Sequence, residues 1–525
     1  MKNFLKKIAN FFWTIYKILT HRMFMTVILL LFQFLVMYLV LHYANDYSSY
    51  FQFGFQVLSV LMIVYILNQE DNPNEKMSFI AFIALLPFFG VPFYVIWRGK
   101  TVHKKYRETL EKSHNQTKHL HIQDEKVSGE LMEIDEKRYH EAEYIYRMSD
   151  FPVHKRTKTK YYPSAEDLYA DLLPALESAK HFIFMEFFIV APGEMRDSII
   201  EVLKRKVSEG VEVRFMYDDF GCAGKIPMHY DRELRAMGIN SVIFNPFNPR
   251  LTINHNFRDH RKIVVIDGYV GFTGGLNMAD EYINKISPYG YWKDSGLKLE
   301  GEAVWNLTVS FLENWDFASD SRSEYSAFTP YRYHEEPFDE TDGGFVVPYA
   351  DNPLDEEEVG KSVYMNMINN AEKYVWFSTP YLVPDTSFEE ALELAAKRGI
   401  DVRIITPGIP DNKPFTYAAT RSYYKRLLQS GVRIYEYTPG FVHAKNAISD
   451  DEVMTCGTVN MDYRSMYHNF ENGVWVYRAK SVEAMKKDFL QAMEVSRKID
   501  LDWVKARPLW YRFIQYIFKI MAPFL

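Results

Sequence analysis

The chain has 525 residues, 48% of them hydrophobic and 25% charged, so it can bury a large core in about three or four units. The formal net charge of −7 argues against a nucleic-acid-binding protein, since such proteins usually carry a basic domain or stripe. Two cysteines, Cys222 and Cys456, are too few for a disulfide framework or a zinc site, and both are expected to be buried free thiols.

The first 98 residues are predicted to form a membrane anchor with two to three apolar spans. Residues 23–41 contain no charge over 19 positions, which suits a bilayer crossing and is too long for a signal peptide. Segment 51–67 is a second predicted span, and 79–97 is a third that Pro87 and Pro92 kink or make re-entrant. Basic residues flank both ends of the region, so the positive-inside rule favours two crossings and a body that faces the cytoplasm.

The pattern after the anchor indicates a duplicated α/β body. Residues 99–160 are polar, rich in both charge signs, and predicted to be a connector. A strand–helix–strand series then ends in "EGVEVRFMYDD", and a second series ends in "RGIDVRIITPG", each with a helix that stops at glycine before a buried strand. The sequence therefore predicts two similar α/β units, 161–320 and 345–500, joined by a polar and aromatic linker.

Residues 501–525 form a tail rich in aromatic and aliphatic side chains, interrupted by Arg507, Arg512 and Lys519. The charges argue against a membrane span, and tryptophan and tyrosine suit the headgroup level of a bilayer. We expect an amphipathic helix that lies in the membrane interface; a core helix of the second unit is the alternative.

The stretch "RDHRKIVVIDGYVGFTGGLN" (258–277) places a histidine and a lysine at the start of an apolar strand. Alternate side chains of a strand point to one face, so His260 and Lys262 project together. Asp267 follows at a turn, and Asn277 follows a double glycine, where the backbone can approach a ligand closely.

The stretch "FVHAKNAISDDEVMTCGTVN" (441–460) repeats this layout 183 residues later. His443, Lys445, Asp450 and Asn460 occupy the offsets of the four polar residues in the first copy. A single His-x-Lys pair carries little information, but two fully spaced copies are a strong signal for one shared site.

The combined residues suit a phosphate diester, because lysines repel metal cations and bind anionic oxygens. One neutral histidine can attack phosphorus, and the other can donate a proton to the leaving oxygen and later take one from an incoming alcohol. The non-bridging oxygens would be held by Lys262, Lys445, Asn277 and Asn460. Asp267 and Asp450 complete the motifs and are also predicted to be catalytic. Neither a metal nor an organic cofactor is needed.

Each histidine is expected to need a carboxylate that fixes its tautomer. Asp294 in "YWKDSG" and Glu471 in "HNFENG" are the candidates. The sequence does not decide which acid serves which histidine, and either acid could instead be an ordinary surface or ion-paired residue.

"HRKIVVIDG" and "HAKNAISDD" resemble the paired HKD motifs of the phospholipase D superfamily, and "NFRDHRKIVVIDGYVGFTGGLNMADEY" and "GTVNMDYRSMYHNFE" resemble bacterial cardiolipin synthases. The resemblance implies two α/β/α sandwich domains that face each other across a pseudo-twofold axis, preceded by transmembrane helices. It implies an enzyme of the bacterial cell membrane whose partners are phosphatidylglycerol and membrane lipid. The apolar spans indicate a multi-pass protein, and the acidic net charge argues against a nucleic-acid partner.

The implied reaction moves a phosphatidyl group from one phosphatidylglycerol to the terminal hydroxyl of another, with release of glycerol. The resemblance assigns His260 as the nucleophile and His443 as the acid/base. Hydrolysis by a phospholipase D and phosphatidylserine synthesis share the same chemistry and remain alternatives. A nuclease of the superfamily is disfavoured by the acidic net charge, and an inactive scaffold by the two complete motifs.

Overall fold

The computed structural model of the chain describes residues 48–70, 72–97, 107–246, 257–333 and 343–524, without 109, 113, 116 and 356, and also Leu35 and Tyr38. These residues divide into a small N-terminal unit, within Met1–Val102, and a large body that extends from His103 to the C terminus. Each is described by itself.

The N-terminal unit contains helices α1 (Ser48–Leu67), α2 (Pro73–Leu85) and α3 (Pro87–Trp97). The predicted segment 51–67 lies within α1. The predicted segment 79–97 is divided between α2 and α3, because Pro87 has no amide hydrogen and keeps Leu86 out of helical geometry, with φ −134° and ψ 69°.

The structure describes only part of the segments that were predicted to span the membrane. Apart from Leu35 and Tyr38, the predicted segment 23–41 lies outside the described residues. Among the helices that are described, none combines the length and the apolar character that a bilayer crossing requires.

The stretch predicted as a connector is partly built into the body, which corrects that prediction. It contains helices α4 (Glu125–Ile134) and α5 (Glu136–Ser149) and most of strand β1 (Thr157–Tyr162). Glu141 of α5 is buried, accepts a hydrogen bond from the Trp475 indole at 3.0 Å, and pairs with Arg138 at 2.6 Å. The polar composition of residues 99–160 was misleading because these polar groups find buried partners far along the chain.

The first half of the body runs from β1 to α9. Its further elements are α6 (Ala165–Ser178), β2 (Phe182–Phe187), α7 (Glu194–Ser208), β3 (Glu212–Asp218), α8 (Tyr230–Ala236), β4 (Asn240–Phe244), β5 (Arg258–Asp259), β6 (Ile263–Ile266), β7 (Val270–Gly274), β8 (Tyr291–Lys293), β9 (Gly296–Gly301) and α9 (Val304–Ser319). A short helix, α10 (Pro330–Tyr333), follows it.

The second half runs from β10 to β18 and is followed by the tail. Its elements are β10 (Phe345–Asp351), α11 (Val359–Asn370), β11 (Tyr374–Ser378), α12 (Thr386–Lys397), β12 (Asp401–Pro407), α13 (Pro414–Gln429), β13 (Arg433–Tyr437), β14 (Gly440–Val442), β15 (Asn446–Ser449), β16 (Val453–Gly457), α14 (Tyr463–Tyr467), β17 (Asn469–Tyr477), α15 (Lys480–Glu494) and β18 (Ser496–Ile499). The tail contains α16 (Leu501–Lys505) and α17 (Leu509–Ile520).

The two halves repeat one sheet topology. The first sheet has the strand order β1-β9-β7-β6-β2-β3-β4, and the second has β10-β17-β16-β15-β11-β12-β13, with β18 added at its edge. In both, the three strands at one end are parallel and the others are antiparallel. This repetition agrees with the internal duplication predicted from the sequence.

Each half also lends a helix to the other. Helix α9 packs against β2, β4 and β6 of its own sheet and against β10 of the second, whereas α15 packs against β13, β15 and β16 and against β1 of the first. The apolar core accordingly contains residues of both halves in each of its two clusters. The halves are therefore held together by shared core as well as by the site described below.

The motif aspartates do not reach the site, which corrects their prediction as catalytic residues. Asp267, at φ 51° in the turn after β6, accepts the backbone N–H groups of Lys180, His181 and Phe182, each at 2.8 Å. The carboxylate therefore secures the start of β2, at the end of β6 opposite Lys262.

Asp450 does the same in the second half. It accepts the N–H groups of Glu372, Lys373 and Tyr374 at 2.8–2.9 Å, at the start of β11. The motif spacing places each aspartate at a hairpin turn, so both residues support the fold from outside the pocket.

We predict that Asp267→Ala lowers the free energy of unfolding by about 2 kcal/mol, because three amide donors lose their acceptor. Asp267→Asn should lose about half as much, since it keeps one acceptor oxygen and tolerates the positive φ. Denaturant unfolding in detergent micelles measures both changes. Asp502→Ala, at an exposed acid of α16, is the control, and an equal loss in that variant would contradict the assignment.

Candidate active site

Two short strands cross between the halves and fix the site. Strand β5 pairs in parallel with β17 of the second half, in the register Asp259 to Phe470. Strand β14 pairs in parallel with β8 of the first half, in the register Val442 to Lys293. Each crossing strand ends immediately before a motif histidine.

The backbone of each histidine continues this pairing. The N–H of His260 donates to the carbonyl of Phe470 at 2.9 Å, and the N–H of His443 donates to the carbonyl of Lys293 at 2.7 Å. In both places the next residue on the opposite strand is one of the two candidate acids. The register of a strand pair therefore places a carboxylate beside each imidazole.

The carboxylates are exchanged between the halves. Glu471 approaches Nδ1 of His260 with both of its oxygens, each at 2.9 Å. Asp294 approaches Nδ1 of His443 at 2.7 Å. The structure thus brings together the four predicted residues and decides the pairing that the sequence left open.

This arrangement leaves Nε2 of each imidazole available. A carboxylate at Nδ1 holds the hydrogen on that nitrogen, so the lone pair lies on Nε2. Because each carboxylate bonds to Nδ1, Nε2 is the nitrogen that each imidazole can present to a substrate. His260 is 7% exposed, and burial, followed by the charges of Lys262 and Lys445, lowers its pKa well below the usual range. Burial and Lys445 lower the pKa of His443 to about 3.

The pKa values of the two carboxyl groups are shifted in opposite directions. Burial raises the pKa of Glu471 to about 7, although Lys262 and the Thr458 hydroxyl oppose that rise. Burial would also raise the pKa of Asp294, but its contact with His443 and the charge of Lys445 hold that pKa below its usual value.

The predicted lysines are buried in the same site. Lys262 and Lys445 are 1% and 0% exposed, and each ammonium group donates to the carbonyl oxygen of its own motif histidine. Lys445 Nζ also lies 3.0 Å from Nδ1 of His443. Burial lowers the pKa of Lys262 to about 8 and that of Lys445 to about 7. Both amines can therefore gain charge when an anion arrives.

The predicted asparagines are buried, with different surroundings. Asn277 accepts the N–H of Ile189 at 3.0 Å and donates to the Tyr282 hydroxyl at 2.7 Å, and the Tyr282 ring lies 5.3 Å from that of His443. The side-chain oxygen of Asn460 has no hydrogen-bond partner among the residues that the structure describes. Phosphate binding by either residue stays a prediction.

Small differences between the two copies tune the acids. A Cβ at Gly275 would lie 2.1 Å from an Asp294 oxygen, so that position requires glycine. The equivalent position of the second copy is Thr458, whose hydroxyl donates to Glu471. Asn469 donates to Glu471 as well, at 3.2 Å.

Sequence reasoning missed Arg261, the residue between the motif histidine and lysine. Its buried guanidinium donates to the carbonyl of Glu471 at 3.1 Å and to the carbonyl of Asp351 at 3.1 Å, which ties the first motif to the second half. The signal available was a third basic residue between the motif histidine and lysine, but the second copy has Ala444 there, so the repeat did not point to it.

Sequence reasoning also missed two aromatic rings that lie beside the motif histidines and one further lysine. The Phe188 ring lies 5.1 Å from His260, and the Trp292 ring lies 5.2 Å from His443. Lys413, an exposed residue directly before α13, has its Nζ 4.9 Å from the centre of the Tyr381 ring, and its charge acts on His260. These residues have no motif spacing, because they reach the site only through tertiary packing.

Two family descriptions match this chain. Residues 364–493 match the family described as "Cardiolipin synthase, PLD-like domain", and residues 57–99 match that described as "Phospholipase_D-nuclease N-terminal". The crystal structure of the phosphatidylserine synthase of Haemophilus influenzae has a similar fold, with a TM-score of 0.57 at 14% identity, over 74% of this chain and 99% of that one.

Curated relatives extend the match to most of the chain. An uncharacterised protein of Streptococcus mutans is 38% identical over 88% of this chain and 99% of its own length. The cardiolipin synthase of Alkalihalophilus pseudofirmus is 36% identical over 89% of this chain and 92% of its own length. Together with the paired motifs and their shared site, this similarity shows that the chain belongs to the cardiolipin synthase family with phospholipase D-like domains.

Proposed function

We propose that the protein is a phosphatidyltransferase that makes cardiolipin and glycerol from two molecules of phosphatidylglycerol. One observation carries the proposal: two histidine–carboxylate pairs, each shared between the halves, enclose two buried lysines. That arrangement combines a nucleophile, an acid/base and an anion site for a phosphate diester.

In the first step, Nε2 of His260 attacks the phosphorus of one phosphatidylglycerol. A phosphorus–nitrogen bond forms, and the bond from phosphorus to the glycerol oxygen breaks. The leaving oxygen takes a proton from Nε2 of His443, and glycerol departs. The negative phosphate opposes the lysine charges that help to lower the pKa of His443, and Asp294 stabilises its imidazolium form.

In the second step, the now neutral His443 removes the proton from the terminal hydroxyl of a second phosphatidylglycerol. The hydroxyl oxygen attacks phosphorus, the phosphorus–nitrogen bond breaks, and His260 is restored with cardiolipin as the product. Lys262 and Lys445 hold the non-bridging oxygens in both steps, and the amides of Asn277 and Asn460 are proposed to assist them. Water in place of the second lipid would give phosphatidic acid.

We also propose that the apolar N-terminal region makes the protein a multi-pass protein of the bacterial cell membrane. Exposed apolar side chains along α1 support lipid contact; they include Phe53, Leu58, Leu61 and Val64. A membrane location brings the lipid acceptor to the site from the same surface as the donor. The proposed division of the body, at about 161–320 and 345–500, gives each half one motif and one acid.

The function is tested with purified protein and labelled phosphatidylglycerol in mixed micelles, followed by separation of the lipid products. Cardiolipin and glycerol in equal amounts, both absent with His260→Ala, are expected. Phosphatidic acid alone would identify a hydrolase, and no turnover of any phospholipid would remove the lipid assignment.

The identity of the nucleophile has its own prediction. Donor lipid labelled in the phosphatidyl group should leave label on the protein after an alkaline quench, because a phosphoramidate survives base and is lost in acid. We expect His443→Ala to retain this label at His260 and His260→Ala to lose it, as peptide mapping would show. Label on His443 instead would reverse the two roles.

We predict that Glu471→Gln and Asp294→Asn each lower kcat by about 10²–10⁴-fold, because a neutral amide no longer selects the required tautomer or stabilises the imidazolium. Glu471→Gln should suppress formation of the labelled intermediate, whereas Asp294→Asn should also slow its transfer to the acceptor. Single-turnover measurements separate these effects. Glu452→Gln, at a surface acid paired with Arg478, is the matched control, and should stay within about twofold of the parent.

The pH dependence of kcat/KM should be a narrow bell with its maximum near pH 7. Below about 7, protonation of Glu471 removes the acceptor for His260, so the rate falls as pH falls. Above about 7 to 8, Lys445 and then Lys262 lose their protons, and with them the charge that binds phosphate. In kcat the upper limb should move to higher pH, since bound substrate stabilises both ammonium groups. A profile flat from about pH 6 to pH 9 would contradict these assignments.

A further inference from the structure

Helix α17 of the tail exposes an entirely apolar face. Six side chains along one side of the helix are between 44% and 79% exposed. They recur at intervals of three and four residues and so form one stripe: Leu509, Trp510, Phe513, Tyr516, Ile517 and Ile520.

The polar side of the same helix faces the protein. Gln515 is the buried residue of the helix. The Nζ atom of Lys519 lies 3.5 Å from Oε2 of Glu389 and 4.1 Å from the centre of the Tyr423 ring. An ordinary surface helix buries its apolar stripe and exposes its polar one. Phe518 of this helix packs inward against the core, yet the outward stripe is apolar as well, so that exposed face needs a covering of low polarity.

The charge of the tail identifies a negatively charged lipid surface as that covering. From Trp503 to the C terminus the sequence has four basic residues and no acidic one, and three of them remain after Lys519 pairs with Glu389. Anionic lipid attracts such a helix, and Trp510 and Tyr516 suit the headgroup level of a bilayer. Phe415 extends the surface: it is exposed, and its ring lies 4.9 Å from that of Phe518.

The tail packs on two helices that adjoin residues of the candidate active site. Helix α17 lies against α13, which begins directly after Lys413. The turn Ala522–Phe524 lies against α14, which follows directly on Asn460 and Asp462. The tail that carries the exposed face therefore contacts the helices that adjoin Lys413 and Asn460.

We propose that the exposed face of α17, with Phe415, is a docking surface for anionic bilayers that seats the entrance of the active site at the headgroup layer. The surface delivers lipid to the site without a crossing of the membrane by the body. Its role in catalysis rests on the proposed function, whereas its contact with lipid does not.

The contact is tested by a fluorescent label on Phe513→Cys in the full chain, reconstituted in vesicles that contain phosphatidylglycerol. Native Cys222 and Cys456 are buried and free, so the introduced thiol reacts selectively. We expect a blue-shifted emission and protection from an aqueous quencher at Phe513→Cys. The control is Met237→Cys, at an exposed methionine of the first half, which should stay accessible. Equal accessibility at both positions would overturn the proposal, as would protection that appears without lipid and grows with protein concentration.

The functional consequence is tested by the double variant Phe513→Glu with Ile517→Glu. Turnover of vesicle phosphatidylglycerol should fall about tenfold or more, because two charges oppose insertion of the face. Turnover of a short-chain phosphatidylglycerol in monomeric solution should stay within about twofold. Met237→Glu, the matched control, should change neither rate.

Equal losses on both substrates, or no loss on vesicles, would contradict the docking role. A parent protein inactive on every phospholipid would instead refute the proposed function, and the accessibility measurement would still decide whether the face contacts lipid.

Discussion

The site depends on one exchange of backbone hydrogen bonds between the two halves. Each motif histidine donates its N–H to the carbonyl of the residue that precedes a buried acid of the other half. That single bond sets the register of a two- or three-residue strand pair, and the register delivers the carboxylate to Nδ1. The tautomer of each imidazole follows from this placement, whereas burial and the neighbouring lysines depress its pKa. Chemistry and association of the halves therefore share the same contacts.

Desolvation sets the charge state of the pocket. Two lysines with lowered pKa values, beside an acid whose pKa is raised, make the site less charged than its composition suggests. A buried cation without a partner lowers the stability of the fold. Partial loss of charge on the two lysines therefore reduces the free-energy cost of burying them. Arrival of a phosphate diester changes that balance, because its charge favours protonated amines. Binding of the phosphate diester thus also produces the positive lysine charge that stabilises the transition state.

The sequence was sufficient for features with a local pattern and insufficient for those set by tertiary contacts. Period-two polarity at the start of an apolar strand identified both histidine–lysine pairs, and the repeat identified the duplication. The acids were found as candidates, but their pairing joins residues 211 and 149 positions apart and could not be read from spacing. Asp267 was assigned to catalysis because its spacing is part of the motif, whereas that spacing serves a hairpin turn. Arg138 and Glu141 made the segment before β1 look solvated, although both are buried.

The crossed acids mean that neither half of the body contains a finished histidine. A fragment that ended after α9 would retain His260 and Asp294, yet each would lack the residue that completes it. Separation of the halves, whether by proteolysis or by misfolding, would thus inactivate both histidines together and would not leave a partly active enzyme. Damage to one half therefore also inactivates the histidine of the other half. Natural selection acts on the two halves together.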